Sequence, residues 1–270
     1  MGVKVSVLCA IGGENELRQK YFPVFLDWLI GQTYENMEVI VVEVAKDKAL
    51  YERFIYGDIK YQLVKSDVFC KPWGMNIAAN MSSGDILVCT DAGIAGPDDW
   101  IESISLVQEP FFFPMSKVTL LSYDSSMKYI SDESVELDLE IIRKPSIHGS
   151  AGPALAFSRD FFFNSIGGWC EFYTKNKKSD NDICFRSIMS MGIRETGEAR
   201  PPGLVVLDKE LIHFHHGGQV PGDAVEEMFA LSHGNPNFVS KYIVGSTNGD
   251  VERRNYKDFA KMLKTIRSID

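Results

Sequence analysis

The sequence lacks any hydrophobic run long enough to cross a bilayer, and it lacks closely spaced cysteine pairs. Its longest apolar clusters, 111–115 and 161–163, are far shorter than the roughly 20 residues of a membrane-spanning helix. The N-terminus has no signal-peptide pattern, and the five cysteines show no C-x-x-C spacing. We therefore expect a cytoplasmic protein with no transmembrane segment, no disulfide framework and no cysteine-based zinc site.

Basic residues are also in short supply. The chain has 28 Lys and Arg against 37 Asp and Glu, which gives a formal net charge of -9. An acidic surface repels phosphate backbones and anionic membranes. We therefore expect no direct nucleic-acid binding.

Strand-like and helix-like segments alternate through the first hundred residues. Continuous apolar runs predict buried strands at 3–10, 38–44 and 85–90, with a weaker strand at 59–64. Helical periodicity predicts helices at 16–30 and 75–81. This order is typical of an α/β protein with a mostly parallel central sheet between two helical layers, a three-layer sandwich.

The second half is less regular. We predict strands at 118–122, 127–130, 152–158, 204–208 and 211–216, a helical turn at 159–166 and a helix at 180–192. The acidic connection at 133–145 has no clear pattern. The chain is long enough for one domain at 1–218, to which we add a C-terminal helical extension at 219–270.

Ligands of open parallel sheets bind beyond the carboxyl ends of the strands. The run DAG at 91–93 ends the strand at 85–90, where the carboxylate of Asp91 is suited to a divalent cation bound with a nucleotide diphosphate. The alternative is a plain turn, since Asp and Gly are common after strands.

Four runs in the first half resemble the N-terminal motifs of family 2 glycosyltransferases, which have the GT-A fold. LIGQTY at 29–34 followed by MEVIVVE at 37–43 is similar to the family's "Gln-Thr-Tyr" helix end and its "E-hydrophobic-hydrophobic-V-V-D" strand. WGMNIA at 73–78 resembles the "G-x-x-x-A-x-N" helix, and 83–92 resembles the "G-(E/D)-x-(I/L)…D-A-D" segment. The resemblance divides the domain into a nucleotide-sugar-binding half at 1–100 and an acceptor-side half at 101–218.

The resemblance implies which residues bind the donor and its cation. It assigns the nucleotide sugar to Ala10, Ile11, Glu43, Asn76, Asp91, Ala92 and Gly93. Glu43 stands where the family has an aspartate that contacts the uracil or ribose, with a solvated strand-end carboxylate as the alternative. Gly93 replaces the third residue of the family's D-x-D and removes a usual ligand of Mn²⁺ or Mg²⁺.

A second match lies in the acceptor-side half. GGW at 167–169 and SDNDICFR at 179–186 resemble the "G-G-F-D-E…E-D-x-D-L-x-x-R" motif, a galactosyltransferase-like acceptor motif. The resemblance makes Asp180 the catalytic base and assigns the acceptor to Gly168, Trp169 and Asp182. As alternatives, Asp180 and Asp182 complement the dipole of a helix start, and Asp182 forms an i,i+4 pair with Arg186.

Three of the five histidines fall within HFHHGG at 213–218. Imidazole is a common ligand of transition-metal dications, so His213, His215 and His216 are candidate metal ligands. The motif "H-x-x-H" of related glycosyltransferases pairs His213 with His216, whereas alternation along a strand pairs His213 with His215. The sequence leaves both pairings open.

These observations together predict an inverting glycosyltransferase, a hexosyltransferase that moves a sugar from a nucleotide diphosphate donor, UDP favoured, to a carbohydrate or other hydroxyl-bearing acceptor. One alternative is a nucleotidyltransferase, although Glu14 and Glu16 make its expected phosphate loop acidic. The other is a non-catalytic nucleotide-sugar-binding scaffold, because Gly93 and Ser179 depart from the family motifs.

Overall fold

The computed structural model describes residues 2–12, 16–131, 141–147, 151–171, 173, 179–194, 198 and 200–216. Gly217, Gly218 and the predicted extension at 219–270 lie outside the described residues. Eleven strands are assigned within the described part: β1 (Val5–Gly12), β2 (Met37–Ala45), β3 (Lys60–Lys65), β4 (Ile86–Thr90), β5 (Ile94–Ala95), β6 (Phe111–Phe113), β7 (Lys117–Leu120), β8 (Ile141–Arg143), β9 (Ala154–Ser158), β10 (Val205–Val206) and β11 (Glu210–His213).

Five α-helices connect these strands within the same residues. They are α1 (Glu16–Ile30), α2 (Lys71–Met81), α3 (Trp100–Ser105), α4 (Tyr123–Ser131) and α5 (Ser179–Ser190). A 3-10 turn at Glu52–Phe54 and a π-helical turn at Phe161–Ser165 complete the assignment. The helix predicted at 16–30 is therefore confirmed at both ends, and the helical turn predicted at 159–166 corresponds to the π turn.

The central sheet has seven strands in the order β10-β6-β9-β4-β1-β2-β3. Strands β4, β1, β2 and β3 run parallel, as do β6 and β10, whereas β9 runs antiparallel to both of its neighbours. The expected mostly parallel α/β sheet is confirmed. Because parallel neighbours end at the same edge, the residues after β1, β2 and β4 lie along one rim.

Two hydrophobic clusters cover the faces of this sheet, which gives three layers. Along β1, Leu8 and Ala10 join one cluster with α2 and α5, while Val7, Cys9 and Ile11 join the other with α1 and α3. Successive strand residues point to opposite faces, so a continuous apolar run is what a strand buried on both sides requires. Each fully buried Leu or Phe in these clusters contributes roughly 1.5–3 kcal/mol.

A second sheet of four strands, β5-β11-β7-β8, lies beside the first. Strand β11 pairs in parallel with β7, and β8 pairs antiparallel with β7. The strands predicted at 118–122 and 211–216 correspond to β7 and β11, but the sequence did not indicate that they form a separate sheet. Strand β11 ends at His213, the first histidine of the run. Strand β8 also falls in the connection at 133–145 that had no clear pattern.

The strand predicted at 127–130 is wrong, because these residues belong to helix α4. The hydroxyl of Ser122 accepts a hydrogen bond from the backbone N–H of Ser125 at 3.0 Å, which is the N-cap arrangement of a helix start. One face of the helix then places Tyr129 and Ile130 beside Phe214. The capping serine therefore outweighs the apolar character of the segment.

Candidate functional site

Three chain segments that are distant in sequence meet at the rim of the central sheet. Asp91 follows β4, Lys71 begins α2, and Asp180 lies in the first turn of α5. The backbone N–H of Asp91 donates to the carbonyl of Pro153 at 2.8 Å, which fixes the start of the loop after β4. The rim therefore brings together the two carboxylates that the sequence analysis singled out.

Lys71 joins these carboxylates. Its Nζ lies 2.8 Å from Oδ1 of Asp91 and 2.9 Å from Oδ1 of Asp180. The lysine is buried, with 7% of its surface exposed, and Nζ lies 5.5 Å from the centre of the Trp169 ring. Burial disfavours the ammonium, but the attraction of Asp180 and Asp91 outweighs it and raises the pKa of Lys71. Lys71 is therefore a fixed cation at neutral pH.

The two carboxylates differ in their electrostatic environment. Burial opposes ionisation of Asp91, but the Lys71 ammonium and the His213 imidazole together hold its pKa well below the ordinary value. Burial and the charge of Asp91 raise the pKa of Asp180 although Lys71 opposes the rise. When two neighbouring carboxyl groups have different pKa values, they have different roles in the reaction. Here Asp91 is the permanent anion and Asp180 is the more basic group.

The histidine run divides into a pair and a separate residue. The rings of His213 and His216 lie 5.0 Å apart, and Nε2 of His213 lies 3.7 Å from Oδ2 of Asp91. Strand β11 ends at His213, so side chains beyond it do not follow strand alternation. His215 is exposed and also lines the outer face of this region, and its backbone N–H donates to the hydroxyl of Ser126 at 2.9 Å. Of the two pairings that the sequence left open, the structure has His213 with His216.

The donor set near Asp91 suits a divalent cation only in part. One carboxylate oxygen and two imidazoles are reasonable ligands for Mn²⁺. However, Oδ1 of Asp91 already contacts Lys71, and the described residues contain no group of three His, Cys, Asp or Glu side chains placed to hold a metal. Mg²⁺-type ions commonly complete their coordination with water and substrate phosphates. These residues therefore fit an ion that shares its coordination with a bound diphosphate.

Gly93 leaves open space at the third position of the DAG run. A Cβ atom added there would meet only the Tyr21 ring, at 3.9 Å, an ordinary contact distance. The backbone at Gly93 does not have a positive φ angle. Packing therefore does not force a glycine at this position.

Two cavities meet at the central carboxylates. The larger, which we call the outer cavity, has a volume of about 350 Å³ and is lined mainly by β7, β8, 152–153 and 213–216. The smaller, which we call the inner cavity, has a volume of about 60 Å³ and includes Ala10, Arg18, Phe69, Lys71 and 91–93. Asp91, Asp180 and His216 line both. A molecule in either cavity therefore reaches the same three side chains.

Phe69 separates the inner cavity from a third one of about 210 Å³ beside the ends of β2 and β3. The ring lies directly on Gly12, where an added Cβ would come within 2.1 Å of Cδ2 of Phe69. The Arg18 guanidinium carbon lies 5.8 Å from the ring centre. The sequence did not single out Arg18 or Phe69, because neither residue lies in one of the motifs that it shares with the family.

Glu43 and Ile11 lie away from the cavities. Glu43 is fully buried, and its carboxylate accepts hydrogen bonds from the backbone N–H groups of Leu50 and Tyr51 and from the hydroxyl of Tyr61. Ile11 is buried in the core layer beside α1. The Glu43 carboxylate thus anchors the loop after β2, and contact of Glu43 with the nucleotide stays a prediction.

Asn76 and Trp169 form a buried clamp. The Asn76 amide donates to the carbonyl of Trp169 and to Oε1 of Glu171, each at 2.9 Å, and its oxygen accepts from the Trp169 N–H at 2.8 Å. Gly168 has φ 78°, and an added Cβ would lie 2.8 Å from Oδ1 of Asn76. Only glycine suits that backbone. Asn76, Gly168 and Trp169 therefore support the floor of the site from within the core.

Asp182 and Arg186 form the i,i+4 pair that the sequence indicated. Oδ2 of Asp182 accepts from Nε and Nη2 of Arg186 at 3.0 and 2.9 Å, and both residues are 1% exposed. Nη1 of Arg186 donates to the carbonyls of Ile166 and Gly168 at 2.6 and 2.9 Å. This pair therefore fixes the double-glycine turn to the helix that carries Asp180.

Comparisons with known proteins identify the fold. No protein-family model matches the chain, and no curated protein matches it in sequence. The chain is similar to GalNAc-T7, solved with UDP, GalNAc and Mn²⁺, with TM-score 0.58 and 12% identity over 98% of this chain and 54% of that chain. It is also similar to S. aureus TarS 1-349 in complex with UDP-GlcNAc, with TM-score 0.52 and 10% identity over 97% of this chain and 79% of that chain. The chain therefore has the GT-A fold of glycosyltransferases, which confirms the predicted fold class.

Proposed function

We propose that this protein is an inverting glycosyltransferase that moves a hexose-type sugar from a nucleotide diphosphate donor to an acceptor hydroxyl. The observation that carries the proposal is the meeting of Asp91 and Asp180 on Lys71, at the boundary of two cavities. Transfer requires a carboxylate that faces the acceptor and a positively charged group near the leaving diphosphate. Asp180 provides the carboxylate and Lys71 provides the positive charge, and their side chains are in direct contact.

The inner cavity, at about 60 Å³, is too small for the whole donor, and we assign to it the diphosphate. Arg18 and Lys71 line it and supply positive charge for phosphate oxygens. The strand ends that frame it, with Ala10, Ala92 and Gly93 among its lining residues, are where nucleotides bind in open α/β sheets. UDP is favoured because both similar structures contain UDP or a UDP sugar. The third cavity, beyond Phe69, offers additional volume for the base.

The acceptor belongs in the outer cavity, from which its hydroxyl reaches Asp180. The carboxylate of Asp180 takes the hydroxyl proton while the acceptor oxygen bonds to the anomeric carbon. The bond between that carbon and the diphosphate oxygen breaks, and its electron pair leaves with the nucleoside diphosphate. The raised pKa of Asp180 makes it a stronger base for this step. The anomeric configuration inverts because attack and departure occur on opposite faces.

A divalent cation, Mn²⁺ or Mg²⁺, would supply further positive charge to the leaving diphosphate. Asp91, His213 and His216 are the residues that would hold it together with the donor. We leave His215 out of this group because only His213 and His216 have a ring contact with each other and His213 faces the Asp91 carboxylate.

The lining of the two cavities supports the proposed division of the chain. The inner cavity takes its lining mainly from 1–100, and the outer cavity mainly from 101–218.

None of the described helices combines the length and apolarity needed to cross a bilayer. The five cysteines are free and buried, which supports a reducing compartment such as the cytoplasm. We also propose that the protein belongs to glycosyltransferase family 2 and that it does not bind nucleic acid directly.

A non-catalytic scaffold is the second candidate. The observation in its favour is that Lys71 occupies one oxygen of each carboxylate, while Gly93 offers no third ligand. The test is release of nucleoside diphosphate from a panel of UDP sugars by the full chain and by Asp180→Asn. A matched control is Asp160→Asn, an exposed aspartate that accepts a hydrogen bond from Asn164.

We expect release with at least one UDP sugar, a loss of roughly 10²–10⁴-fold in kcat for Asp180→Asn, and no loss for the control. Donor affinity should remain within a few-fold. Tight donor binding with no turnover in any of the three proteins would favour the scaffold, and pyrophosphate release would indicate nucleotidyl transfer.

A further inference from the structure

The part of the outer cavity wall that β8 forms carries two cations. Arg143, the last residue of β8, and the adjacent Lys144 both line the cavity and are exposed. Within the described part of the chain, neither side chain forms an ion pair. These two cations have no ion-pair partner among the described residues, in a protein whose net charge is -9. They create a local site for a negative group.

The strand register directs Arg143 into the cavity. Arg143 lies opposite Val118 in the antiparallel β7–β8 pair, and residues directly opposite each other share a face of the sheet. Val118 and Leu120, two residues apart on β7, both line the outer cavity. The Arg143 side chain therefore belongs to the face that forms the cavity wall.

The segment that carries these cations is anchored. Nη2 of Arg200 donates to the carbonyl of Ser116 at 2.6 Å, and Nε of the same residue donates to the carbonyl of Pro145 at 3.1 Å. The guanidinium thereby links the residue after Lys144 to the start of β7. These hydrogen bonds from the Arg200 side chain to two backbone carbonyls therefore fix the segment that follows Arg143 and Lys144.

The sheet order sets the distance between the cations and the strand that carries His213. His213, beside Asp91, lies on β11, and β7 separates β11 from β8. Adjacent strands lie about 4.8 Å apart, so Arg143 lies on the order of 10 Å across the sheet from β11. A sugar ring with one anionic substituent spans such a distance. Its hydroxyl would then face Asp180 while its negative group contacts Arg143 and Lys144.

We propose that the acceptor is a small hydroxyl compound that carries an anionic group, a sugar phosphate or a uronate, bound by Arg143 and Lys144. This inference rests on the proposed function, because it takes the outer cavity as the acceptor site. The compact form of the acceptor follows from the net charge, since an acidic protein repels a long polyanion such as a nucleic acid. Pro145, Pro153 and Phe214 provide apolar surface for the ring between the two polar ends.

The test measures binding without turnover, so it does not depend on catalysis. Glucose, glucose 6-phosphate and glucuronate are titrated into the full chain by NMR, with and without saturating UDP. The variants are Arg143→Gln, Lys144→Gln and the double change. The control is Lys117→Gln, a neighbouring β7 lysine that pairs with Glu210 and does not line the cavity.

We expect the anionic sugars to bind at least tenfold more tightly than glucose, with the preference lost in the double variant and kept in the control. High salt should reduce the preference. Equal affinity for charged and uncharged sugars would overturn the proposal. So would a double variant that loses UDP affinity as strongly as glucose 6-phosphate affinity, because the cations would then serve the donor.

A further arm uses a single-stranded oligonucleotide. Tighter binding of the oligonucleotide than of glucose 6-phosphate, lost in the double variant, would also overturn the inference. Failure of the proposed function gives a different result, namely no UDP binding and no UDP release from any donor. The titrations without UDP still report on Arg143 and Lys144 in that case.

Discussion

Lys71 and Asp180 are 109 residues apart in the chain, yet their side chains meet at 2.9 Å. The contact joins the first residue of α2 to the first turn of α5 beneath the rim of the central sheet. The same Nζ also bonds Asp91, so one cation serves two anions. The consequences of this arrangement can be measured.

Lys71→Met should abolish transfer and make stability depend differently on pH. Removing the ammonium leaves two neighbouring carboxylates without a counter-ion, so their folded-state pKa values rise above the unfolded ones. A carboxyl group whose pKa is higher in the folded state stabilises the fold at pH values below its unfolded-state pKa. This contribution is lost as the pH rises through the folded-state pKa. Relative to the wild type, the variant should therefore become more stable on acidification from pH 7 to 5.

Urea unfolding at both pH values checks this expectation, with Lys71→Arg as the charge-preserving control. At pH 7 we expect a loss of about 1–3 kcal/mol for Lys71→Met. An unchanged stability difference between the two pH values would contradict the ion-pair account.

Arg186→Met should cost about 3–5 kcal/mol in free energy of unfolding, because it leaves the buried Asp182 carboxylate unpaired and releases the carbonyls of Ile166 and Gly168. Lys209→Gln, which breaks the more exposed pair with Asp99, should cost less than about 1 kcal/mol. Denaturant titration of both variants tests the contrast. Equal costs would show that the buried clamp contributes no more than a surface pair.

Phe69→Ala should weaken UDP binding by about tenfold or more while leaving pyrophosphate binding unchanged, because an aromatic ring between two cavities is placed to stack on a base. Gly12→Ala should act in the same direction, since its methyl group would displace the ring. Calorimetry with UDP and pyrophosphate measures both effects. A parallel loss of affinity for the two ligands would point to a general distortion of the rim.

Mn²⁺ should bind weakly to the free protein and at least tenfold more tightly in the presence of UDP, because the described ligands need phosphate oxygens to complete the coordination. Linkage requires Mn²⁺ to tighten UDP binding by the same factor. Calorimetric titrations in both orders measure the coupling, and His213→Asn should remove it. Tight binding of Mn²⁺ without nucleotide would refute the shared coordination.

Glu38→Gln should flatten the acid side of the stability profile. Burial opposes ionisation of Glu38, but hydrogen bonds from Lys60, Ser6 and Ser83 lower its pKa to about 2. A depressed folded pKa gives stability above the unfolded pKa of about 4.5, and this stability is lost as pH falls toward 2. Urea unfolding between pH 7 and 2.5 should show a smaller decline for the variant. Identical slopes would mean that Glu38 does not drive the acid sensitivity.

The sequence predicted the central sheet well because buried parallel strands leave a strong apolar signal. The runs that became β1, β2 and β4 are apolar on both faces, and each ends close to a polar or glycine residue. Local signals were weaker in α4, where Ser122 caps a helix of mixed polarity. In the small second sheet, β7 and β11 match the strands predicted at 118–122 and 211–216, whereas β5 and β8, of two and three residues, were too short to leave a pattern.

The site was predicted only where a motif carried it. Asp91 and Asp180 stood in recognisable runs, but Lys71 looked like an ordinary lysine before a proline at a helix start. Its burial depends on the packing of Trp169 and α5, which no local pattern contains. Glu43 is the opposite case, because the sequence singled it out near the end of β2. Its hydrogen-bond partners Leu50, Tyr51 and Tyr61 all lie outside that strand.

The open space beside Gly93 has a consequence for engineering. Gly93→Asp would place a second carboxylate two residues after Asp91, and its Cβ atom would meet the Tyr21 ring at an ordinary contact distance. A single amino-acid change therefore creates a D-x-D run at 91–93 on the existing backbone.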